Sequence, residues 1–293
     1  MIDFTNSEVI KSYTYEGANG KKIAIKYNGD IYMLKFPSKA NNNEKLSYSN
    51  SVISEYISCH IFEMLGFETQ ETILGVYEVN GAWKNVVACK DFTVPNKKFH
   101  SFASIKNTVI DSESNGFGTE LSDVLETINS QNIYDIEKLT AFFWEMFVVD
   151  SLLGNFDRHN GNWGFLSFDE NFEIAPIFDC GSCLFPSADD VLMLSQLDDE
   201  EELLERVYTF PNSTLKIEGV KISPYKFITS LKNDNLNKAL LKIYPKIDLQ
   251  KINAFIDGVD ISDVKKRYYK RIILERYNRI LKKAYDELKL QEL

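Results

Sequence analysis

Cysteine is scarce in this chain, and four in 293 residues cannot build the disulfide framework of a small secreted scaffold. Long apolar runs are missing too. None approaches the roughly 20 residues that cross a bilayer, so no membrane span is expected. The amino terminus, Met1-Ile2-Asp3-Phe4-Thr5-Asn6, has neither a basic region nor an apolar stretch, which argues against a Sec-type signal peptide. Positive charge is in deficit. With 33 Lys and Arg against 43 Asp and Glu, the formal charge is −10. Affinity for a nucleic-acid backbone rests on Lys and Arg, so direct nucleic-acid binding is not expected. Internal repeats and low-complexity tracts are absent. What remains is a soluble, cytoplasmic globular protein whose 44% apolar content can bury a large core, in one domain or two lobes.

One stretch has the wrong composition for a core and the right one for a site: Gly154-Asn155-Phe156-Asp157-Arg158-His159-Asn160-Gly161-Asn162. An apolar helical run over 139–153 delivers it as a loop, and Ile177-Phe178-Asp179-Cys180-Gly181 follows shortly. Asp157 and Asn162 stand five apart, and Asp179 lies two residues before a glycine. These parts suit phosphoryl transfer, in which one Asp orients the nucleophile while an Asn and a second Asp hold Mg²⁺ against the phosphates. Cys180 and Cys183 read C-x-x-C. With no second pair, the plain reading is two reduced thiols on a loop, and a redox or zinc role is the alternative.

The chain before that stretch reads as an antiparallel meander. Strand-like residues from Ser12 flank a turn at Gly17 to Gly20, and Asn28-Gly29 and Asn80-Gly81 mark two hairpins. Gly17 and Gly20 either let backbone amides approach phosphate oxygens or simply serve a tight turn. Lys35 points away from Leu34 and Phe36, toward either a phosphate site or solvent. A helix over 52–65 ends at Gly66. Glu55, in its first turn, either pairs with Lys35 or favours the helix dipole, and the dipole is preferred. A hinge is placed where the strand through Ala88, Cys89 and Lys90 leaves the sheet, with backbone groups there meeting an adenine edge. Residues 96–130 read as polar surface with short helices. The run Asp198-Asp199-Glu200-Glu201-Glu202 reads as a solvated helix start, and the chain is helical from Pro224 onward. A final helix over 264–290 packs on the second lobe or, alternatively, offers a basic surface to an acidic partner.

The order of these pieces is the informative part: a glycine turn, a strand lysine, a helix with an early Glu, a hinge, a buried helix, D-x-x-x-x-N and D-x-G. That is the linear plan of a bilobal kinase. The stretch 155–162 resembles the N-x-D-x-H-x-x-N loop of HipA-like serine/threonine kinases. Ala175-Pro176-Ile177-Phe178-Asp179, with Ser182 and Pro186, is similar to that family's metal-binding segment. Gly17-Ala18-Asn19 with Lys21, Leu34-Lys35-Phe36-Pro37 and Ser54-Glu55-Tyr56 match further motifs, and the short, stand-alone members are nearest.

The resemblance implies an α+β, bilobal protein-kinase-like fold. It has a small antiparallel β N-lobe with one helix (1–92) and a larger, mainly helical C-lobe (93–293). It also implies ATP and Mg²⁺ as cofactors and a protein substrate, with the chain itself as one candidate. Asp157 would take the acceptor proton, and Asn162 and Asp179 would bind Mg²⁺. Lys35 would contact the phosphates, with Gly17, Ala18, Asn19 and Gly20 covering them. Ala88, Cys89, Lys90 and Asp91 would hold the adenine, and His159 would brace the loop. Thr14, with Ser12 and Tyr13 as rivals, occupies the position of an autophosphorylated serine. Cys89-Lys90-Asp91-Phe92 departs from the E-R-F-D-like run usual in the family. The sequence starts almost at the phosphate loop, without a match to the amino-terminal subdomain of full-length HipA, so the resemblance does not by itself carry over the toxin–antitoxin partnership. The same resemblance allows export to a host cell. Two other functions fit the same parts: a small-molecule or lipid phosphotransferase, and a secreted or toxin-like interaction module with a nucleotide site.

Overall fold

The computed structural model describes residues 1–15, 21–37, 49–93, 96–110, 115–169 and 171–291. The architecture is α+β, in two compact units. The first comprises Met1–Lys97 and Pro176–Leu192, and the second Lys98–Ala175 and Met193–Leu293.

The first unit is built on a six-stranded sheet. Its strands are β1 (Ile2–Asp3), β2 (Glu8–Val9), β3 (Lys22–Tyr27), β4 (Asp30–Lys35), β5 (Thr72–Val79) and β6 (Ala82–Lys90), in the order β1-β5-β6-β4-β3-β2. Asn28 and Gly29, and Asn80 and Gly81, all have positive φ, the backbone twist that tight hairpins demand. The expected meander differs in two ways. β1 pairs parallel with β5, and residues 10–15 lie outside the sheet. Period-two alternation sends Tyr32, Leu34 and Phe36 to a core with Phe4, Ile25 and Val86. Lys35 faces the other way, toward helix α1 (Ser51–Met64).

In the second unit the central element is α4 (Ile136–Leu153), capped by the Asp135 carboxylate on the Lys138 amide. It is buried nearly all round, as an apolar helix must be. Before it come β7 (Lys98–Ser101), α2 (Phe102–Val109) and α3 (Leu121–Ser130); after it come β8 (Gly164–Phe168) and β9 (Asn171–Ile174). β7 pairs with β8, so part of the stretch expected to be polar surface is a strand. The chain continues through α5 (Asp190–Asp198), α6 (Glu200–Tyr208), the hairpin β10 (Lys216–Ile217) and β11 (Val220–Lys221), α7 (Pro224–Thr229), α8 (Asp234–Ile243) and α9 (Leu249–Gly258). Asp199 caps α6 at the acidic run. The last helix is α10 (Asp263–Arg276), a π-turn at Tyr277–Lys282, and α11 (Lys283–Gln291). No described helix is long and apolar enough to cross a membrane.

Candidate active site

In the first unit three ionisable groups distant in sequence converge. The Lys35 ammonium lies 2.9 Å from Asp179 Oδ1 and 3.1 Å from Glu55 Oε2. Glu55 therefore pairs with Lys35 rather than serving the helix dipole. α1 starts at Ser51 and has no acidic residue in its first turn, which leaves Glu55 too far along to meet the terminal amides. Burial alone would pull the Lys35 ammonium down, but the carboxylates of Asp179 and Glu55 outweigh it and hold it well above ordinary lysine. Burial lifts the Glu55 carboxyl to about 6, with Lys35 opposing. Among the described residues, Glu55 Oε1 is buried without a hydrogen-bond partner.

Asp179 is the accessible member of the trio, its side chain 42% exposed. Its backbone sits at φ +54°, and Leu184 and Phe185, at +54° and +57°, share that left-handed region. For bulky residues such a run stores strain, a mark of functional loops. Lys22, opposite Lys35 in the β3–β4 ladder, adds a second cation. Burial and the Lys35 charge pull its ammonium below the ordinary lysine value, while Asp179 and Glu55 oppose them. Sequence reading missed Lys22. Its only signal is the register set by the Asn28-Gly29 turn.

Near the strand exit, Ala88 and Cys89 are fully buried in the ladder between β4 and β5. The Lys90 amide donates to the Glu71 carbonyl, and its own carbonyl accepts from the Gln70 side chain. Both polar groups of the Lys90 backbone thus have a partner within the first unit. Asp91 accepts from the Tyr15 hydroxyl and from Thr93. Thr14, beside the anchored Tyr15, is exposed. Gly17, Ala18, Asn19 and Gly20 lie outside the described residues. Cys180 and Cys183 are buried free thiols, and the Cys180 thiol lies 3.9 Å from the Phe178 carbonyl.

The second unit holds the other motif. Gly154 ends α4 at φ +67°, and a Cβ there would fall 1.6 Å from Arg276 Nη1 of α10. Only glycine satisfies both conditions. The loop then folds onto Asp150, on the last turn of α4. Arg158 Nε donates to Asp150 Oδ2 at 3.0 Å and Nη2 to Oδ1 at 3.2 Å, with Asn155 Nδ2 also on Oδ1 at 2.8 Å. Arg158 Nη1 donates to the Asn162 carbonyl, and Asn155 Oδ1 accepts the Asp157 amide. Asn162 Nδ2 donates to the Asp157 carbonyl at 2.8 Å, which fixes the orientation of its side chain. His159 Nδ1 accepts from the Gly161 amide at 3.0 Å, a brace inside the loop. The structure thus brings Asp157, His159 and Asn162 together here, and Lys35 and Asp179 together in the first unit. Asp150, Arg158 and Arg276 were not expected. An acid in the last, buried turn of an apolar run, at 150, was the available signal for the first.

Comparison with known proteins follows the same lines. The HipA-like C-terminal domain profile matches residues 14–230. Over 297 aligned positions the chain is 46% identical to the serine/threonine-protein kinase CtkA of Helicobacter pylori, covering 99% of this chain and 90% of that protein. The crystal structure of the H. pylori proinflammatory kinase CtkA matches with a TM-score of 0.93, over 100% of this chain and 99% of the other. A chain of the Shewanella oneidensis MR-1 HipA, HipB and operator DNA complex matches at 15% identity and a TM-score of 0.56, over 96% of this chain and 74% of that one, a likeness of fold alone. A family profile over most of the sequence, and a relative this similar along nearly all of it, place the chain in the HipA-like C-terminal domain family.

Proposed function

We propose that this chain is a serine/threonine protein kinase that moves the γ-phosphoryl group of ATP to an acceptor hydroxyl. The observation that carries the reading is the buried Lys35 ammonium held between Glu55 and a half-exposed Asp179. A cation fixed in this way is prepared for phosphate oxygens, and the accessible carboxylate beside it is prepared for a metal. The donors suit Mg²⁺. Asp179 and Asn162 offer hard oxygen ligands, and Mg²⁺ takes one or two of these from the protein while phosphates and water supply the rest. Bound Mg²⁺ would neutralise charge that develops on the transferred group.

The residues then divide the work. Lys35 orients the phosphates, with Lys22 as a second cation nearby. Asp157, its amide tied to Asn155, accepts the proton of the attacking hydroxyl. Asn162, oriented by the Asp157 carbonyl, keeps its side-chain oxygen for the metal. The family resemblance assigns Gly17 to Gly20 to the phosphates, and exposed Thr14 is the candidate for self-phosphorylation. Residues 1–92 and 93–293 serve as the nucleotide and acceptor lobes of this kinase. Dependence on ATP assigns the activity to a cytoplasm.

The test is phosphate transfer with ATP and Mg²⁺ by wild type, Asp157→Ala and Asp179→Ala. Asp157→Ala should keep metal-dependent nucleotide binding and lose about 10²–10⁴-fold in turnover, the range for a general base. Asp179→Ala should lose that binding. Labelling of both variants at the wild-type rate overturns the assignment.

A further inference from the structure

Phe117 is 54% exposed, yet its backbone is held more firmly than a surface aromatic requires. The Asn160 side chain, itself 1% exposed, donates to the Gly116 carbonyl at 2.9 Å and to the Gly118 carbonyl at 2.8 Å. One carboxamide thus grips the residues on either side of Phe117. A second buried group reinforces the grip. The Lys106 ammonium, fully buried, donates to the same Gly118 carbonyl at 2.8 Å and reaches Asp123 at 3.3 Å. Burying an ammonium is costly unless its partners are fixed, so this segment is rigid by construction.

The clamp also fixes Phe117 relative to the chemistry. Asn160 stands three residues after Asp157 in the same loop, and its carbonyl is tied to the Ala103 amide. The Phe117 ring meets the His159 ring edge-on at 6.1 Å. Its Cε1 lies 2.9 Å from where a Cβ on Gly161 would sit, so glycine there is what lets the ring approach. Part of the ring packs on the loop and the rest is open. A lone exposed aromatic ordinarily needs no explanation. One mounted by two buried polar side chains on the loop that carries the proton acceptor does.

We infer that Phe117 is a specificity-determining residue for the acceptor: it contacts an apolar side chain close to the phosphorylated serine or threonine of an extended polypeptide. This rests on the kinase reading above and names the substrate class of the same site. An extended peptide whose hydroxyl reaches Asp157 runs past the neighbouring loop surface, and Phe117 is a large apolar group presented on the His159 side of that loop.

The experiment is a positional-scanning library of serine and threonine peptides, phosphorylated with ATP and Mg²⁺ by wild type, Phe117→Ala and Phe117→Leu. Wild type should prefer an aliphatic or aromatic residue within two positions of the acceptor. Phe117→Ala should lose that preference, with the KM for the preferred peptide raised roughly tenfold, the scale of one aromatic contact. Its KM for Mg-ATP and its thermal midpoint should stay unchanged. Phe117→Leu should keep most of the preference. A wild type indifferent to apolar neighbours, or a Phe117→Ala variant with the wild-type preference, overturns the inference. A wild type that labels itself in an Asp157-dependent way but labels no peptide also overturns it, while leaving the kinase reading intact. No transfer of any kind overturns both.

Discussion

The charges around Lys35 in the first unit and those around Asp150 in the second are both largely buried, yet they are satisfied to different degrees. Asp150 has each oxygen occupied, by both donors of a guanidinium fork and by the Asn155 amide. Glu55 has one oxygen unpartnered among the described residues, a carboxyl lifted to about 6, and a lysine shared with the more exposed Asp179. A network with every donor and acceptor used specifies one geometry. A network with spare capacity can exchange a partner for a ligand. The second unit holds its loop ready, and the first holds its cation ready to be shared.

The sharpest way to break this contrast is to remove one partner of the closed network. Arg158→Ala leaves Asp150 buried without its cation and should cost about 3–5 kcal/mol, read as a fall in the unfolding midpoint. The double variant Asp150→Leu/Arg158→Met should recover much of that stability without recovering turnover, because the loop loses its anchor either way. Full recovery of turnover would show that the network does not position Asp157 and Asn162.

A smaller effect sharpens the other side. The Glu55 proton is bound more tightly in the folded chain, near pH 6, than at the ordinary value of 4.5. Its contribution to stability is therefore present below 4.5 and lost as the pH rises through about 6. Denaturant unfolding without nucleotide should show wild type losing roughly 1–2 kcal/mol more than Glu55→Gln across that window. Parallel curves would mean that Glu55 is not strained. The smallest effect belongs to Lys22. Lys22→Ala should raise the KM for Mg-ATP by roughly threefold to tenfold, the scale of one charge-assisted contact. It should leave stability unchanged or slightly higher, because a like charge leaves Lys35.

Much of this was legible because it is local. The Asn-Gly turns, the D-x-x-x-x-N loop and the apolar run of α4 each declare themselves within a few residues. The length of the apolar run around Phe142, Phe143 and Trp144, longer than a strand, is what marks it as a buried helix. Asp179 was legible as a candidate, but its meeting with Lys35 spans 144 residues and depends on the whole sheet register. Glu55 misled because position in a helix's first turn depends on a boundary, and a shift of one residue at Ser51 changes the explanation. β7 was hidden because Lys98, His100 and Ser101 carry little strand signal, and the pairing with β8 overrides it. Asn160 looked like filler between named motif positions, since its role lies in carbonyls far back in the chain.

Arg276 occupies the space that a methyl group on Gly154 would need, and it lies 46 residues beyond the stretch matched by the family profile. A gene fragment cut at that boundary would keep every signature residue and still leave a hole where the guanidinium plugs the start of the signature loop. The terminal helix is thus a structural keystone of the enzyme rather than an appendage, and mutations along it can silence catalysis without touching any motif.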